Sequence, residues 1–361
     1  MSASSSPARS TPWYRDLRFW LGLTVSVAGL WLTFRNVNGR ELLHSVRAVD
    51  WGLLGLAMLV ALFDQIVRGL RWRVLLQPVG RVSSADAFSY LSIGALANAL
   101  LPLRAGEVIR ATLLGEKRAL SKSALFATVV VERIFDVLAL ALLALLLLAV
   151  MPIPREIKQA ALLLGGVSAA ALLALWLLSW LAARGRGGRA ATWLGHAETR
   201  VLHPAQDHRL LGVNLTQVLR RLWQMAHSFF GGLRAVQSPR LLWSVGWYTV
   251  LAWLASLGYI WLVLRACHLD LPWSASLMVL VFINLGAALP STPGGVGLVH
   301  WLAREALLPW QVADQPSATF ALMVHAAVYL VMVGVGLLCL WREGVQFRQL
   351  TRSDPATSET V

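Results

Sequence analysis

The stretch LPWSASLMVLVFINLGAALPSTPGGVGLVHWLA, Leu271 to Ala303, decides the fold of this chain. It carries no formal charge, and as one helix it would run about 50 Å, well beyond a hydrocarbon core of about 30 Å. Its middle holds Pro290 and Pro293, followed by Gly294, Gly295 and Gly297. A continuous helix does not tolerate that sequence in hydrocarbon unless protein or water satisfies the freed backbone groups. The stretch reads as a broken, re-entrant helical hairpin that dips into a membrane and returns to its starting side.

The rest of the chain agrees with a membrane setting. Of 361 residues, 57% are hydrophobic and only 14% charged, where a soluble domain carries roughly 25% charged residues. Charge-poor runs at Phe19–Phe34, Trp51–Val67, Leu125–Pro154, Ala160–Ala183, Leu241–Leu264 and Ala318–Trp341 supply six expected spans. Val25 to Phe34 meets no small-x-small site, so the first run is expected to be a retained span and not a cleaved leader. Cys267 and Cys339 match no metal or redox spacing.

The formal net charge of +14 would raise nucleic-acid binding in a soluble protein. Here the basic residues cluster between spans, so the positive-inside bias accounts for them and no nucleic-acid partner is expected. With a cytoplasmic N-terminus, 24 of the 32 basic residues fall inside and 7 outside, which fixes the expected orientation. The count works only if the segment from Ala87 is also a hairpin, because a full crossing would put Arg104, Arg110, Lys117, Arg118 and Lys122 outside.

The expected layout is therefore a cytoplasmic tail (1–18) and a first membrane half (19–183) with a re-entrant segment at 87–122. A basic cytoplasmic connection follows (184–240), with an interfacial helix from Leu210 to Val236. A second half (241–341) with a re-entrant segment at 271–308 leads to a cytoplasmic tail (342–361). The fold class is all-α and polytopic, six spans plus two oppositely oriented hairpins. Counting the hairpins as full crossings gives about eight.

The two broken segments resemble each other. NALLPLRAGE (Asn98–Glu107) and the stretch from Asn284 both place an asparagine ahead of a proline and then a glycine where a helix restarts. Inverted repeats with discontinuous helices meeting near the midplane are a recurring transporter construction, because a helix broken in the membrane presents free N–H groups to an anion. Pro102, Gly106, Pro290, Pro293, Gly294, Gly295 and Gly297 are the expected breaks or gates. Simple proline kinks are the plainer alternative.

Charged residues should gather at these breaks. Asp64 and Arg68 form an i,i+4 pair, with Arg71 on the same face as Arg68; snorkelling to the headgroups is their bland role. Glu107 and Arg110 lie on the restarting helix of the first hairpin, beside Arg104. Glu132, Arg133 and Asp136 are the strongest signal, since ionisable residues inside a span face one another or an aqueous cavity. Arg133 and Asp136 can pair at i,i+3, whereas Glu132 needs another partner, Arg104 or Arg110. A structural ion network is the competing account.

Arg68, Arg71, Arg104, Arg110 and Arg133, with Asn98 and Asn284 as neutral groups, are thus candidates for gripping a lipid phosphate. Asp64, Glu107, Glu132 and Asp136 are counter-charges, and His325 is a candidate for proton coupling. No phosphate-binding loop motif, metal-spaced set or paired-acid motif is present, so no cofactor or metal is expected and transport is favoured over enzymatic chemistry.

Arg68-x-x-Arg71-Trp72, the Asn98 to Arg110 segment, Glu132-Arg133-x-x-Asp136 and Pro293-Gly294-Gly295-x-Gly297 together resemble the lysylphosphatidylglycerol synthase transmembrane-region family, also called the flippase-like domain family. The resemblance covers most of the chain from about Asp50 to Trp341. It implies a helical lipid flippase of the inner membrane. Its bifunctional members move an aminoacylated phospholipid, and relatives belong to hopanoid, isoprenoid or glycolipid pathways. No soluble aminoacyl-transferase domain is expected in these 361 residues, so lipid synthesis does not carry over. His300 stands near where the family pattern suggests an acid after the glycines. The expected partners are lipids with anionic or zwitterionic phosphate headgroups, with a second copy or a lipid-synthesis enzyme as the protein partners to consider. A membrane-embedded lipid-modifying transferase, or a non-catalytic member of an envelope-lipid complex, is the alternative.

Overall fold

The computed structural model describes residues 17–101, 105–151, 238–286 and 292–346, with scattered positions between 159 and 228. The expected span at Ala160–Ala183, the interfacial helix, Pro102, Arg104 and Pro290 lie outside or largely outside the described residues.

The helices follow from apolar runs closed by local caps. They are α1 (Leu17–Phe34), α2 (Gly39–Arg47), α3 (Trp51–Leu76), α4 (Ser84–Leu100), α5 (Gly106–Arg118) and α6 (Lys122–Val150), then α7 (Pro239–Ala266), α8 (Trp273–Gly286), α9 (Leu298–Glu305) and α10 (Asp314–Arg342). Asp50, Ser83, Ser121 and Ser238 cap α3, α4, α6 and α7 by accepting from the first free N–H groups. A two-rung β-hairpin pairs Arg209–Leu210 with Val213–Asn214 in the connection.

Four of these helices, α3, α6, α7 and α10, are long and apolar enough to cross a membrane. At 26 to 29 residues they run about 40 Å. The apolar part of α1, Trp20–Phe34, is shorter than a full crossing. Two boundaries differ from the sequence reading. Helix α3 runs on past Val67 to Leu76, because Arg68 and Arg71 find carboxylates inside the bundle and need not end the helix. Helix α6 starts at Lys122 for the same reason, since its ionisable residues at 132, 133 and 136 are paired.

Helices α3 and α7, from opposite halves of the sequence, form the most extensive packed pair, and α10 packs on α4. Leu59, Phe63, Leu142, Val250, Leu254 and Leu337 point outward, as a lipid-facing surface requires. Exposed tryptophans mark the ends of the bundle: Trp51 and Trp273 at one, Trp243, Trp247 and Trp341 at the other, the placement of interfacial aromatic belts.

The helices on either side of each break pack against each other, α4 on α5 and α8 on α9. Asp86 at the start of α4 binds Arg118 at the end of α5, so both ends of the first hairpin meet at the end of the bundle where Lys117 binds Glu343 beyond α10. The second pairs α8 with α9. Arg304, near the end of α9, donates to the Leu32 and Thr33 carbonyls at the end of α1 and binds Asp314 at the start of α10, which is the opposite end of the bundle.

Glycine sets how closely these pieces approach. A Cβ at Gly106 would overlap the Gly94 carbonyl, and one at Gly297, which already has φ +89°, would overlap the Ser26 carbonyl. Gly106→Ala is expected to lower the thermal unfolding midpoint in detergent, whereas Gly334→Ala on α10, where a Cβ meets nothing within 4 Å, should leave it unchanged or raise it slightly. Equal midpoints for the two variants would contradict the close α4–α5 contact.

Candidate functional site

Two apolar cores flank a polar layer. Trp72, Val131 and Val245 belong to one core; Ala57, Leu140 and Trp253 to the other. Between them α3 supplies Asp64, Arg68 and Arg71, α6 supplies Glu132, Arg133 and Asp136, and α7 supplies Thr249 and Ser256. Helix α5 reaches in with Glu107 and Arg110. Glu132 lies ten residues into α6, about 15 Å along its axis.

Arg71 is the hub and is 0% exposed. Its guanidinium donates to both Asp136 oxygens, at 2.6 and 3.1 Å, to Glu132 Oε1 at 3.1 Å and to Thr249 Oγ1 at 3.2 Å. The bidentate grip on Asp136 is the strong, planar form of the contact. Glu132 Oε2 accepts from Arg110 Nη2 at 2.9 Å, and the Arg110 guanidinium lies 4.6 Å from the centre of the Trp72 ring. Trp72 in turn donates to Thr128 Oγ1 at 3.0 Å. Arg68 donates to Asp64 at 3.0 Å and to Ser256 Oγ at 3.2 Å.

The layer is electrically balanced, with the guanidiniums of Arg68, Arg71, Arg110 and Arg133 against the carboxylates of Asp64, Glu107, Glu132 and Asp136. Its members differ in access. The side chain of Arg133 is 42% exposed and that of Glu107 23%, while Arg71, Arg110 and Glu132 are buried. Arg133 Nη2 reaches Glu132 at 2.8 Å and Asp136 at 3.3 Å. Its Nε lies 3.4 Å from Glu107 outside hydrogen-bond geometry and is left without a hydrogen-bond partner. Among the described residues its Nη1 has no polar partner.

The candidates for lipid contact thus separate. Arg71 and Arg110 are enclosed by carboxylates, so the snorkelling role considered for Arg71 is replaced by burial inside the bundle. The two asparagines serve the breaks. Asn98 Oδ1 accepts from Gly106 N–H at 2.8 Å, which caps α5 from the preceding helix where Ala105 has no side chain able to do so. Asn284 Nδ2 donates to the Leu280 carbonyl at 2.8 Å on its own helix.

The breaks come together. Gly294, at φ +72°, sits under the Tyr329 ring and beside the Ala99 carbonyl of α4, which accepts from the Tyr329 hydroxyl at 3.4 Å. Thr292 bonds Ser26 of α1 through both its N–H and its hydroxyl. His325 is not a lone histidine, since His300 on α9 lies 3.3 Å from it and Gly294 O 3.0 Å.

This arrangement has relatives. The profile of the lysylphosphatidylglycerol synthase TM region family matches residues 19–336. The chain belongs to that family. A UPF0104 membrane protein of Methanothermobacter thermautotrophicus is 26% identical over 260 residues, covering 71% of this chain and 73% of that protein. Glycosyltransferase AglD of Haloferax volcanii is 25% identical over 348 residues, covering 87% of this chain and 53% of that protein. The chain therefore spans about half the length of the second relative. Family membership and the buried ionic layer agree on a lipid-related membrane role.

Sequence reasoning missed Thr249, Ser256 and Arg304 as parts of the site and its frame, and named Trp72 and His300 only within the family pattern. Hydroxyls in an apolar helix give no periodic signal, and the partner of Arg304 is a backbone end that no composition reveals. Lone basic residues next to a break, as Arg304 is, are the one cue that points to such a cap.

Removing one partner of a buried ion pair costs about 3–5 kcal/mol, because the other charge stays buried without compensation. Arg71→Ala is expected to lower detergent stability by that order. Arg71→Lys should recover only part, since an ammonium lacks the planar fork that grips Asp136 with two nitrogens while reaching Glu132. A thermal midpoint for Arg71→Lys equal to the parent would contradict the bidentate geometry.

Proposed function

We propose that this protein moves a phosphate-bearing lipid, a phospholipid or an isoprenoid-linked phosphate, between the leaflets of the inner (cytoplasmic) membrane. The observation that carries the reading is the position of Arg133. The ionic layer holds Nη2, buries Nε and leaves Nη1 without a hydrogen-bond partner among the described residues. A guanidinium held from behind in this way offers Nη1 to a phosphate at little ordering cost. Glu107, near Nε but outside hydrogen-bond geometry, is the counter-charge a phosphate displaces.

In this reading both termini are cytoplasmic and the two hairpins are re-entrant from opposite faces, as halves of an inverted repeat. The α4–α5 hairpin then enters from the cytoplasmic side and the α8–α9 hairpin from the other. Rocking of one half against the other would carry the headgroup past the layer while the acyl or prenyl chains stay in the bilayer. Arg104 belongs to the headgroup path by its place in the sequence.

The name of AglD favours a second reading, transfer of a sugar to a lipid carrier. Here two of the three carboxylates a transferase could use as general bases are held by arginines, Glu132 by Arg71 and Arg110 and Asp136 by Arg71, which leaves Glu107. Translocation makes better use of that arrangement.

Reconstitution into liposomes with fluorescent phospholipids tests the proposal. Leaflet exchange is expected to rise with the amount of protein, and Arg133→Ala should slow it at least tenfold per folded molecule, with a smaller fall in unfolding midpoint than Arg71→Ala because the side chain is partly exposed. No exchange across a panel of phospholipids and isoprenoid phosphates, or full exchange by a folded Arg133→Ala variant, would overturn it. Sugar transfer from a nucleotide-linked donor to a lipid acceptor, with no exchange, would establish the transferase instead.

A further inference from the structure

The second break carries a chain of hydrogen bonds whose direction is fixed at both ends. Gly297 N–H donates to His300 Nδ1 at 3.2 Å, and a backbone N–H can only donate, so this nitrogen is unprotonated. At the other end His325 Nε2 lies 3.0 Å from the Gly294 carbonyl, which can only accept, so this nitrogen carries a proton. The middle contact, His300 Nε2 to His325 Nδ1 at 3.3 Å, links the two rings. A neutral His300 with Nδ1 bare must carry its proton on Nε2, and a neutral His325 with Nε2 protonated must accept at Nδ1. The run is therefore Gly297 N–H to His300, His300 to His325, His325 to Gly294 O.

Both imidazole lone pairs are consumed in that run. A further proton on His300 Nδ1 displaces the Gly297 N–H and uncaps α9. A further proton on His325 Nδ1 sets two N–H groups against each other. Either way, one added proton breaks one bond of the chain. The chain also joins the parts that a moving hairpin must release: the turn Pro293–Gly295, helix α9 and helix α10. Tyr329, one turn along α10, stacks edge-on against His325 with ring centroids 5.6 Å apart and bonds Ala99 of the first hairpin.

We infer that His300 and His325 form a single proton-accepting site whose proton enters at His325 Nδ1, where it breaks the bond between the rings and loosens α9 from α10 while His325 keeps its bond to the Gly294 carbonyl. Its role in gating lipid passage rests on the function proposed above; the proton site itself does not. The surroundings contain little that competes for the proton. On α9 the charged residues are Arg304, held by the α1 carbonyls and Asp314, and Glu305. Helix α10 adds Asp314 at its far end and the Tyr329 hydroxyl. The described part of α1 packed here contributes the Phe34 ring and no titratable side chain, α8 contributes none, and α4 offers the Ala99 carbonyl.

Nitrogen-15 spectra of histidine-labelled protein in lipid bilayers, assigned through His300→Gln and His325→Gln, test this directly. At about pH 8 both rings are expected as Nε2–H tautomers, joined by an internuclear coupling across the His300–His325 bond. On acidification from about pH 8 to well below the range of a free imidazole, the coupling should vanish in one step, and the backbone signals of Gly294 and Gly297 should shift with the same midpoint. Two independent titrations, an Nδ1–H tautomer on either ring at high pH, or backbone signals that ignore the step would overturn the inference. In the liposome assay, wild-type exchange should rise about fivefold across the same step, the size expected from one hydrogen bond lost, and His325→Gln should abolish the step. A spectroscopic step with pH-independent exchange would overturn the gating role alone, and a step with no exchange at any pH would leave the proton site standing and sink the translocation reading.

Discussion

Arg71 is fully enclosed inside a membrane bundle, and a buried guanidinium survives only if carboxylates surround it. That demand shapes much of the rest. Glu132 and Asp136 must stand on one side of α6 facing α3. Thr249 must bring α7 against both, and Arg110 must arrive from α5 to hold the second oxygen of Glu132. Arg110 reaches that depth because α4 is broken and α5 restarts at Gly106, where the absence of a side chain lets it press against α4. The broken helix and the buried charge are thus parts of one construction.

The same demand explains why Arg133 differs from its neighbours. Eight charges cancel in the layer, and the carboxylates of Glu132 and Asp136 are already shared among several guanidiniums. Arg133 receives what is left of them through Nη2 and keeps Nη1 free of partners among the described residues. A polar layer built only for stability would gain from enclosing this residue too, since exposed pairs contribute little. The second break presents an uncharged counterpart, where backbone groups and two histidines do the joining.

Much of this was legible in the sequence. The charge-poor runs of α3, α6, α7 and α10 and the proline and glycine breaks stand out in one dimension, because a membrane span imposes its own length and composition. Pairs close in sequence, Asp64 with Arg68 and Arg133 with Asp136, follow from helical spacing and are present. Contacts between distant helices were harder. The need of Glu132 for a partner was visible and Arg110 was one of two candidates, but the contact with Arg71 depends on how α3 crosses α6. The pairing of His300 with His325 depends on α9 folding back over α10, which no local pattern encodes. The run through Ala160–Ala183 and the connection after it lie outside the described residues and add nothing to this comparison.

The central claim is that a balanced, buried ionic layer presents Arg133 to a lipid headgroup. An experimental structure of the protein in phospholipid nanodiscs tests it most directly. The account requires a headgroup within hydrogen-bond distance of Arg133 Nη1, with its chains leaving sideways into the bilayer and the Arg71 to Asp136 contacts intact. Ordered lipids confined to the outer perimeter, with Arg133 closed onto Glu107 by a full hydrogen-bonded pair, would contradict it.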